Sequence, residues 1–431
     1  MLVAVLLISL CVFIAMGLPI AVALAGSSLL YLVLGYLADE VTVPSVVVIH
    51  RMVNGVDSFP LLAVPFFVFA GNIMNTSGIT KRIYDFALSV VGWLRGGLGH
   101  VNVLGSVIFA GMSGTAVADA GGLGTIEIKA MRDHGYDVKF AVGLTAASST
   151  IGPIIPPSLP MVIYGVVGGV SIGQLFAAGV IPGLIMAGIL MATVTWYAHR
   201  RGWSADAAFS LRNLWHAFWL AWMPLMTPVI ILGGMVFGIF TPTEAAIAAC
   251  VWALLLGLVV YRSLSWRQLV RVTMDTIETT AVVLLIVAGA SIFGWILATT
   301  RVTEAFAEQL LSLTRDPVAI MLLINLLLLA VGCFMETIAA ITILTPVLLP
   351  IATQVGIDPV QFGLVMVLNL MIGLLTPPVG MVLYVLTRVA NISFEDCVRA
   401  CAPFIAPLML VLALITFVPW VTLWLPTLIF R

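Results

Sequence analysis

TIGPIIPPS, residues 150–158, and LMIGLLTPPVG, residues 370–380, each set two consecutive prolines inside an apolar stretch. Proline lacks the backbone donor and its ring clashes with the preceding turn, so a Pro-Pro pair interrupts the hydrogen-bond ladder of a helix. The stretches correspond by more than their prolines. Residues 111–182 align without a gap on residues 332–403, at a constant offset of 221 residues. Gly111 pairs with Gly332, Ala118 with Ala339, Gly135 with Gly356, Asp137 with Asp358, Gly152 with Gly373, Pro156 with Pro377, Pro157 with Pro378 and Pro182 with Pro403. Agreement at Gly and Pro weighs more than agreement at Leu or Val, because these residues report backbone geometry.

The solvent for these stretches is lipid. Of 431 residues, 62% are hydrophobic and 9% charged, against about 25% charged in a soluble domain. Apolar runs long enough to cross a bilayer recur throughout, and the run 172–198 lacks the alternation of a transmembrane barrel strand. The N-terminal run has no basic leader and continues into further apolar sequence, which predicts a retained span. Whether residues 2–37 form one long helix or two short ones, interrupted near Gly17 and Pro19, stays open. A net charge of −1 with scattered basic residues offers no stripe for nucleic acid. The five cysteines sit mostly within apolar runs and read as buried thiols, not as disulfides or metal ligands.

Carbonyls freed by a helix break at membrane depth must face protein, ions or a wet cavity. A single proline is most simply a structural kink; paired breaks in two repeats point to a transporter site. Upstream of each break lies an element with apolar flanks and a small or polar centre, residues 107–131 and 329–350. Both read as re-entrant hairpins whose tips meet the breaks, although small residues also serve helix packing. Loop charge orients them. Residues 129–139 carry Lys129, Arg132 and Lys139, whereas the mate at 350–360 has no Lys or Arg. The positive-inside rule therefore opens the first hairpin from the cytoplasm and the second from the far side. Following the spans through Arg200, Arg201 and Arg212, then Arg262, Arg267 and Arg271, and out along a span at about 277–299 gives the same result. Segments 79–94 and 303–313 mix charged and apolar residues and read as interfacial arms.

The expected fold class is an all-α polytopic membrane protein with inverted repeats, each with a re-entrant hairpin and a Pro-Pro-broken transmembrane helix. Residues 1–78 and 199–276 would form scaffold helices. The first repeat would span 79–198, with its hairpin near 98–130 and broken helix near 140–168. The second would span 277–431, with its hairpin near 317–353 and broken helix near 359–390.

The motifs LLAVPFFVFAGNIM (61–74), AGMSGTAVADAGGLG (110–124), GYDVKFAVGLTAASSTIGPIIPPS (135–158), GIFTPTEAAI (238–247), FMETIAAITILTPVLLPIA (334–352) and GLLTPPVGMVLYV (373–385) together resemble the large membrane (M) subunit of TRAP transporters, the tripartite ATP-independent periplasmic systems. The resemblance covers essentially the full chain. It implies an elevator-type secondary transporter of the ion-transporter superfamily, in the bacterial inner membrane, that imports C4-dicarboxylates or other carboxylates by sodium symport. It also implies two partners, a periplasmic substrate-binding protein and a small four-helix membrane subunit, the latter expected as a separate polypeptide. No cofactor is expected beyond sodium as coupling ion.

Sodium is a hard cation that takes oxygen ligands, as calcium does. The expected sodium-binding set in the first half is Ser113, Gly114 and Thr115 at the hairpin tip with Thr150, Gly152 and Pro156 at the break. In the second half it is Gly332, Met335, Glu336 and Thr337 with Gly373, Thr376 and Pro378. These hydroxyls could instead bond only to helix carbonyls. A substrate carboxylate would lie between the two sets, at half-helix N-termini lined by Ser158 and Gly380. Neither motif contains Arg or Lys, so an ion pair with the substrate needs a residue from elsewhere. Asp119 and Glu336 are costly acids in apolar surroundings and so are functional candidates. Asp119 could equally pair with the hairpin backbone, and Glu244 reads as a helix cap. The rival transport reading is a dicarboxylate or anion carrier of the same superfamily that needs no binding protein. An intramembrane enzyme is disfavoured, since the five histidines show no metal-ligand spacing.

Overall fold

The computed structural model describes residues 2–38, 46–301, 308, 314 and 316–430. Among them there are helices and connecting turns and no β-strand, and eight helices are long and apolar enough to cross a membrane. The N-terminal region is two helices, α1 (Leu2–Ala15) and α2 (Ile20–Leu37). They part at Gly17, with φ of +79°, and Pro19. A short amphipathic α3 (Val46–Val56) leads through a tight turn at Phe59–Leu62 into α4 (Ala63–Thr76). The first expected arm is α5 (Ile79–Val91), which follows Gly78 in the left-handed region; the second, 303–313, lies largely outside the described residues.

The first hairpin contains three helices: α6 (Gly97–Ser113), α7 (Ala116–Gly121) and α8 (Leu123–Asp133). The extra break falls at Gly122, where a Cβ would stand 2.8 Å from the Ala118 carbonyl oxygen. The first broken helix is α9 (Val138–Ser149) and α10 (Leu159–Gly168), followed by α11 (Ile172–Arg201). The central spans are α12 (Leu211–Val236), α13 (Pro242–Leu254) and α14 (Trp266–Thr299). Glu244 caps α13 in a reciprocal pairing with Thr241. Helix α14 begins eleven residues before the expected 277, because Ser265 and Gln268 form a capping box at Trp266. Arg267 and Arg271 therefore ride on its first turns instead of in the loop. The second hairpin is α15 (Pro317–Gly332) and α16 (Thr337–Gln354), and the second broken helix is α17 (Pro359–Gly373) and α18 (Met381–Ala390); α19 (Phe394–Phe417) and α20 (Pro419–Ile429) close the chain.

Positions matched by the offset adopt matching structure. Gly135 and Gly356 turn with φ of +80° and +84°. Asp137 caps α9 by accepting from the Lys139 amide at 3.0 Å, and Asp358 caps α17 by accepting from the Val360 amide at 2.7 Å. Both Pro-Pro bonds, 156–157 and 377–378, are cis.

The two broken helices lie side by side and antiparallel. Lys139, at the start of α9, pairs with Asp396 just beyond the end of α18 at 2.7 Å. At the other end the Tyr164 hydroxyl, in α10, donates to the Pro359 carbonyl at the start of α17, also at 2.7 Å. Arg201 joins the first cluster through Asp137 at 2.9 Å. Nearby Asp206 ties down the base of the first hairpin, accepting from the Leu98 amide at 2.9 Å and the Tyr136 hydroxyl at 2.5 Å. Burial, and then the Asp206 carboxylate, push the Tyr136 phenol up, so it remains a donor.

Hairpin and broken helix meet backbone to backbone in the second half. A Cβ on Gly373 would fall 2.5 Å from the Gly332 Cα, and one on Gly332 would fall 3.1 Å from the Gly373 Cα. Gly373→Ala should therefore lower the melting temperature of the purified protein, with an overpacking cost of about 1–3 kcal/mol. Gly188→Ala, on an exposed face of α11 with nothing within 4 Å, should leave it unchanged or raise it. Tryptophan-fluorescence melting curves check both; equal midpoints for Gly373→Ala and wild type would show that the contact is slack.

Candidate functional site

The tip of the first hairpin closes on the first break. Helix α6 ends at Ser113, whose side chain lies outside the described residues. Gly114 follows with φ of +61°, and a Cβ there would stand 2.6 Å from the Pro157 carbonyl oxygen. The Gly114 carbonyl accepts from the Leu159 amide, just past the Pro-Pro pair, at 3.4 Å. Only glycine combines this backbone conformation with so close an approach. Thr115 caps α7, accepting from the Ala118 amide at 3.3 Å.

Within the break, the Thr150 hydroxyl donates to the Ala147 carbonyl at 2.6 Å. Gly152, Pro156 and Ser158 are buried. Ser158 caps α10: its hydroxyl donates to the Pro153 carbonyl and accepts from the Met161 amide at 3.3 Å. It is thus engaged with its own backbone, and its neighbour Leu159 reaches the adjoining cavity.

The second half repeats the connection. The Val379 amide, immediately after Pro378, donates to the Cys333 carbonyl at the hairpin tip at 3.2 Å. Glu336 caps α16, one oxygen accepting from the amides of Ile338 at 2.9 Å and Ala339 at 3.2 Å. Met335 precedes it at the tip. The Thr376 hydroxyl donates to the Ile372 carbonyl at 2.9 Å. Thr337 differs from Thr115, Thr150 and Thr376, since its buried hydroxyl has no hydrogen-bond partner. Gly380, with φ of +59°, starts α18 and is buried; Met381 beside it reaches the cavity.

That cavity, about 510 Å³, brings the two tips together against the scaffold. Thr115 and Leu159 line it from the first half, and Glu336, Ile338 and Met381 from the second. Opposite them stand Asn72 and Asn75 of α4 and Glu278 and Thr279 of α14. The scaffold residues lie outside the aligned repeat and the Pro-Pro motifs, and so escaped the sequence reading. An Asn pair at i and i+3 in an apolar helix, and a Glu in the middle of a span, are the signals that could have found them.

A buried polar chain ties each hairpin to its broken helix. In the first half Asn102 of α6 donates to Glu127 of α8 at 2.6 Å and to Thr145 of α9 at 2.8 Å, and accepts from Ser148 at 2.7 Å. The second oxygen of Glu127 is buried without a partner, as is one oxygen of Asp119 beside Ser106. In the second half Asn369, the offset mate of Ser148, donates to Asn325 of α15 at 2.8 Å, which donates to Thr416 at 3.0 Å.

A family profile described as "Tripartite ATP-independent periplasmic transporter, DctM component" matches residues 7–421. The chain belongs to the TRAP transporter large-permease family. It is 48% identical over 413 residues to the sialic acid TRAP transporter large permease protein SiaM of Vibrio cholerae, covering 96% of this chain and 97% of that one. It is 40% identical over 408 residues to the 2,3-diketo-L-gulonate large permease YiaN of Escherichia coli, covering 94% of each. It is 35% identical over 427 residues to the C4-dicarboxylate large permease DctM of Rhodobacter capsulatus, covering 96% of each. Among solved structures, the Alcanivorax borkumensis YdaH transporter superposes with a TM-score of 0.60 at 16% identity, covering 87% of this chain and 88% of that one, a likeness of fold. This TRAP large permease is accordingly a multi-pass membrane transport protein and not an enzyme, and it is one component of a tripartite system.

In this permease Asn102 is the sole direct hydrogen-bond donor found for Glu127 among the described residues. Asn102→Ala would leave a buried carboxylate with both oxygens unpaired, and should cost about 1–3 kcal/mol. Thermal unfolding of purified Asn102→Ala beside wild type reads this out; an unchanged midpoint would mean that another group takes over.

Proposed function

We propose that this large permease is the translocating subunit of a sodium-coupled importer of a small organic acid, handed over by a periplasmic binding protein and aided by a small membrane subunit. The observation that carries the reading is the pairing of each hairpin tip with a helix break around one cavity. Broken helices offer carbonyl oxygens to cations and amide groups to anions without a fixed charge. The main-chain oxygens of Gly114, Gly152 and Pro156 in the first half, and of Gly332, Gly373 and Pro378 in the second, would be the backbone ligands, with those of Gly114 and Gly373 also accepting from the Leu159 and Thr376 amides. The unpartnered Thr337 hydroxyl is a ready extra ligand in the second set. Relatives are named for sialic acid, 2,3-diketo-L-gulonate and C4-dicarboxylates, all organic acids, which supports a carboxylate as cargo.

Both hairpins and both broken helices are fastened to one another by the Gly114–Leu159, Cys333–Val379, Lys139–Asp396 and Tyr164–Pro359 contacts. They face α4 and α14 across the cavity. This arrangement supports an elevator in which the fastened elements move as one body past the scaffold, carrying ions and acid together.

Proteoliposomes containing the permease, its small subunit and binding protein should take up labelled sialic acid, 2,3-diketo-L-gulonate or succinate only with an inward sodium gradient. Uptake of equal rate without sodium, or without binding protein, would overturn the reading. Thr337→Val and Thr376→Val should each raise the sodium concentration for half-maximal uptake about tenfold, equivalent to ~1.4 kcal/mol of lost ion binding. An unaltered sodium dependence would make these hydroxyls structural.

A further inference from the structure

The cavity between the tips holds carboxylates, carboxamides and hydroxyls but no Lys or Arg, although an organic acid must be received by something. A second cavity, about 430 Å³, opens between the scaffold and the hairpin elements and contains one cation, Arg51. Asn54, Ser291, Trp295, Thr342 and Val166 line it with that guanidinium. Arg51 and Gly55 lie one turn apart on one face of α3 and meet Trp295 and Ser291, one turn apart on α14. The Arg51 guanidinium carbon stands 5.5 Å from the centre of the Trp295 ring. A Cβ on Gly55 would run into the Ser291 side chain, so α3 is seated directly on α14. Neither ion pair found among the described residues includes Arg51. Its charge is exposed to the cavity and stacked on an aromatic face, which fixes the fork and leaves its outer edge free for a carboxylate.

The positive charges place this cavity on the outer side, since α4 descends from it toward Lys81 and Arg82 at the start of α5 and α14 rises to it from Arg267. Its far wall includes Thr342 of α16, six residues from Glu336 at the hairpin tip. At 1.5 Å per residue that is roughly 9 Å along the helix. An outward shift of the hairpin by this distance sets the tip at the height of Arg51.

We propose that Arg51, with Asn54 and Ser291, forms an outer receiving site for the substrate carboxylate, which engages the acid before the second hairpin tip takes it over. The proposal rests on the organic-acid importer reading and adds the cation that the two break motifs lack.

The test uses the full chain and two readouts. Trifluoroacetate, the carboxylate alone, should show saturable fluorine NMR line broadening with purified wild type. The broadening should be lost in Arg51→Gln, retained in Arg51→Lys and retained in Trp295→Leu, which removes the stacking partner but keeps the charge. In the reconstituted tripartite system, Arg51→Gln should raise the KM for the transported acid about tenfold with an unchanged sodium half-saturation. Broadening in Arg51→Gln equal to wild type, or its absence in wild type, overturns the receiving site, and so does a wild-type KM. Arg51-dependent broadening in a protein that shows no sodium-driven uptake would sink the importer reading while leaving the anion site standing.

Discussion

Every break in a helix at membrane depth releases donors and acceptors that lipid cannot satisfy, and the rest of this molecule is arranged around satisfying them. The first loop after each Pro-Pro pair is tied by an amide to a carbonyl at the neighbouring hairpin tip, Leu159 to Gly114 and Val379 to Cys333. Each hairpin tip turns where it meets a break, at Gly114 and at Cys333. The glycines follow from the same need. Gly114 lets backbone approach the Pro157 carbonyl, and Gly332 with Gly373 lets two main chains touch. Small residues that read as mere packing are the means by which two interrupted helices share their unpaired groups.

The parts of this design that depend on local chemistry could be read from sequence. Glu244 reads as a capping residue, and it closes a capping box with Thr241 at the start of α13. Gly17 and Pro19, which left the first apolar run open between one helix and two, do divide it. Other parts depend on partners far away in the chain. Nothing near Asn102 announces that it joins Glu127, Thr145 and Ser148, and nothing near Asn72 or Glu278 announces a shared cavity wall. The early start of α14 was hidden because arginines on exposed first turns look like loop residues. The position of Ser158 after the prolines points to the substrate region, and its hydroxyl also serves the cap of its own helix.

Charge economy also separates the two halves of the binding problem. The elements that join around the central cavity hold buried or half-buried acids, Asp119, Glu127 and Glu336, with no ion pair among the described residues. Basic residues gather instead at the ends of the bundle, where Lys139 and Arg201 pair with Asp396 and Asp137. An interior of this kind attracts cations and is indifferent or hostile to a lone anion. Under the sodium-coupled reading proposed above, an acid would enter such a site most favourably after or with positive ions, which gives that reading a physical basis.

The two breaks, alike in sequence and geometry, differ in surroundings. Pro156 and Pro157 are buried, whereas Pro377 and Pro378 are exposed. Two equivalent elements in antiparallel array cannot both face the same side of a membrane, so a chain built from them has a built-in inequality at any one moment. If the elevator proposed above exchanges the two environments, each break would find on the other side the kind of contact its counterpart has just left, and the two conformations would pack comparably. Under the elevator proposed above, this equivalence is what keeps the energy difference between outward and inward states small enough for ion and substrate gradients to decide the direction.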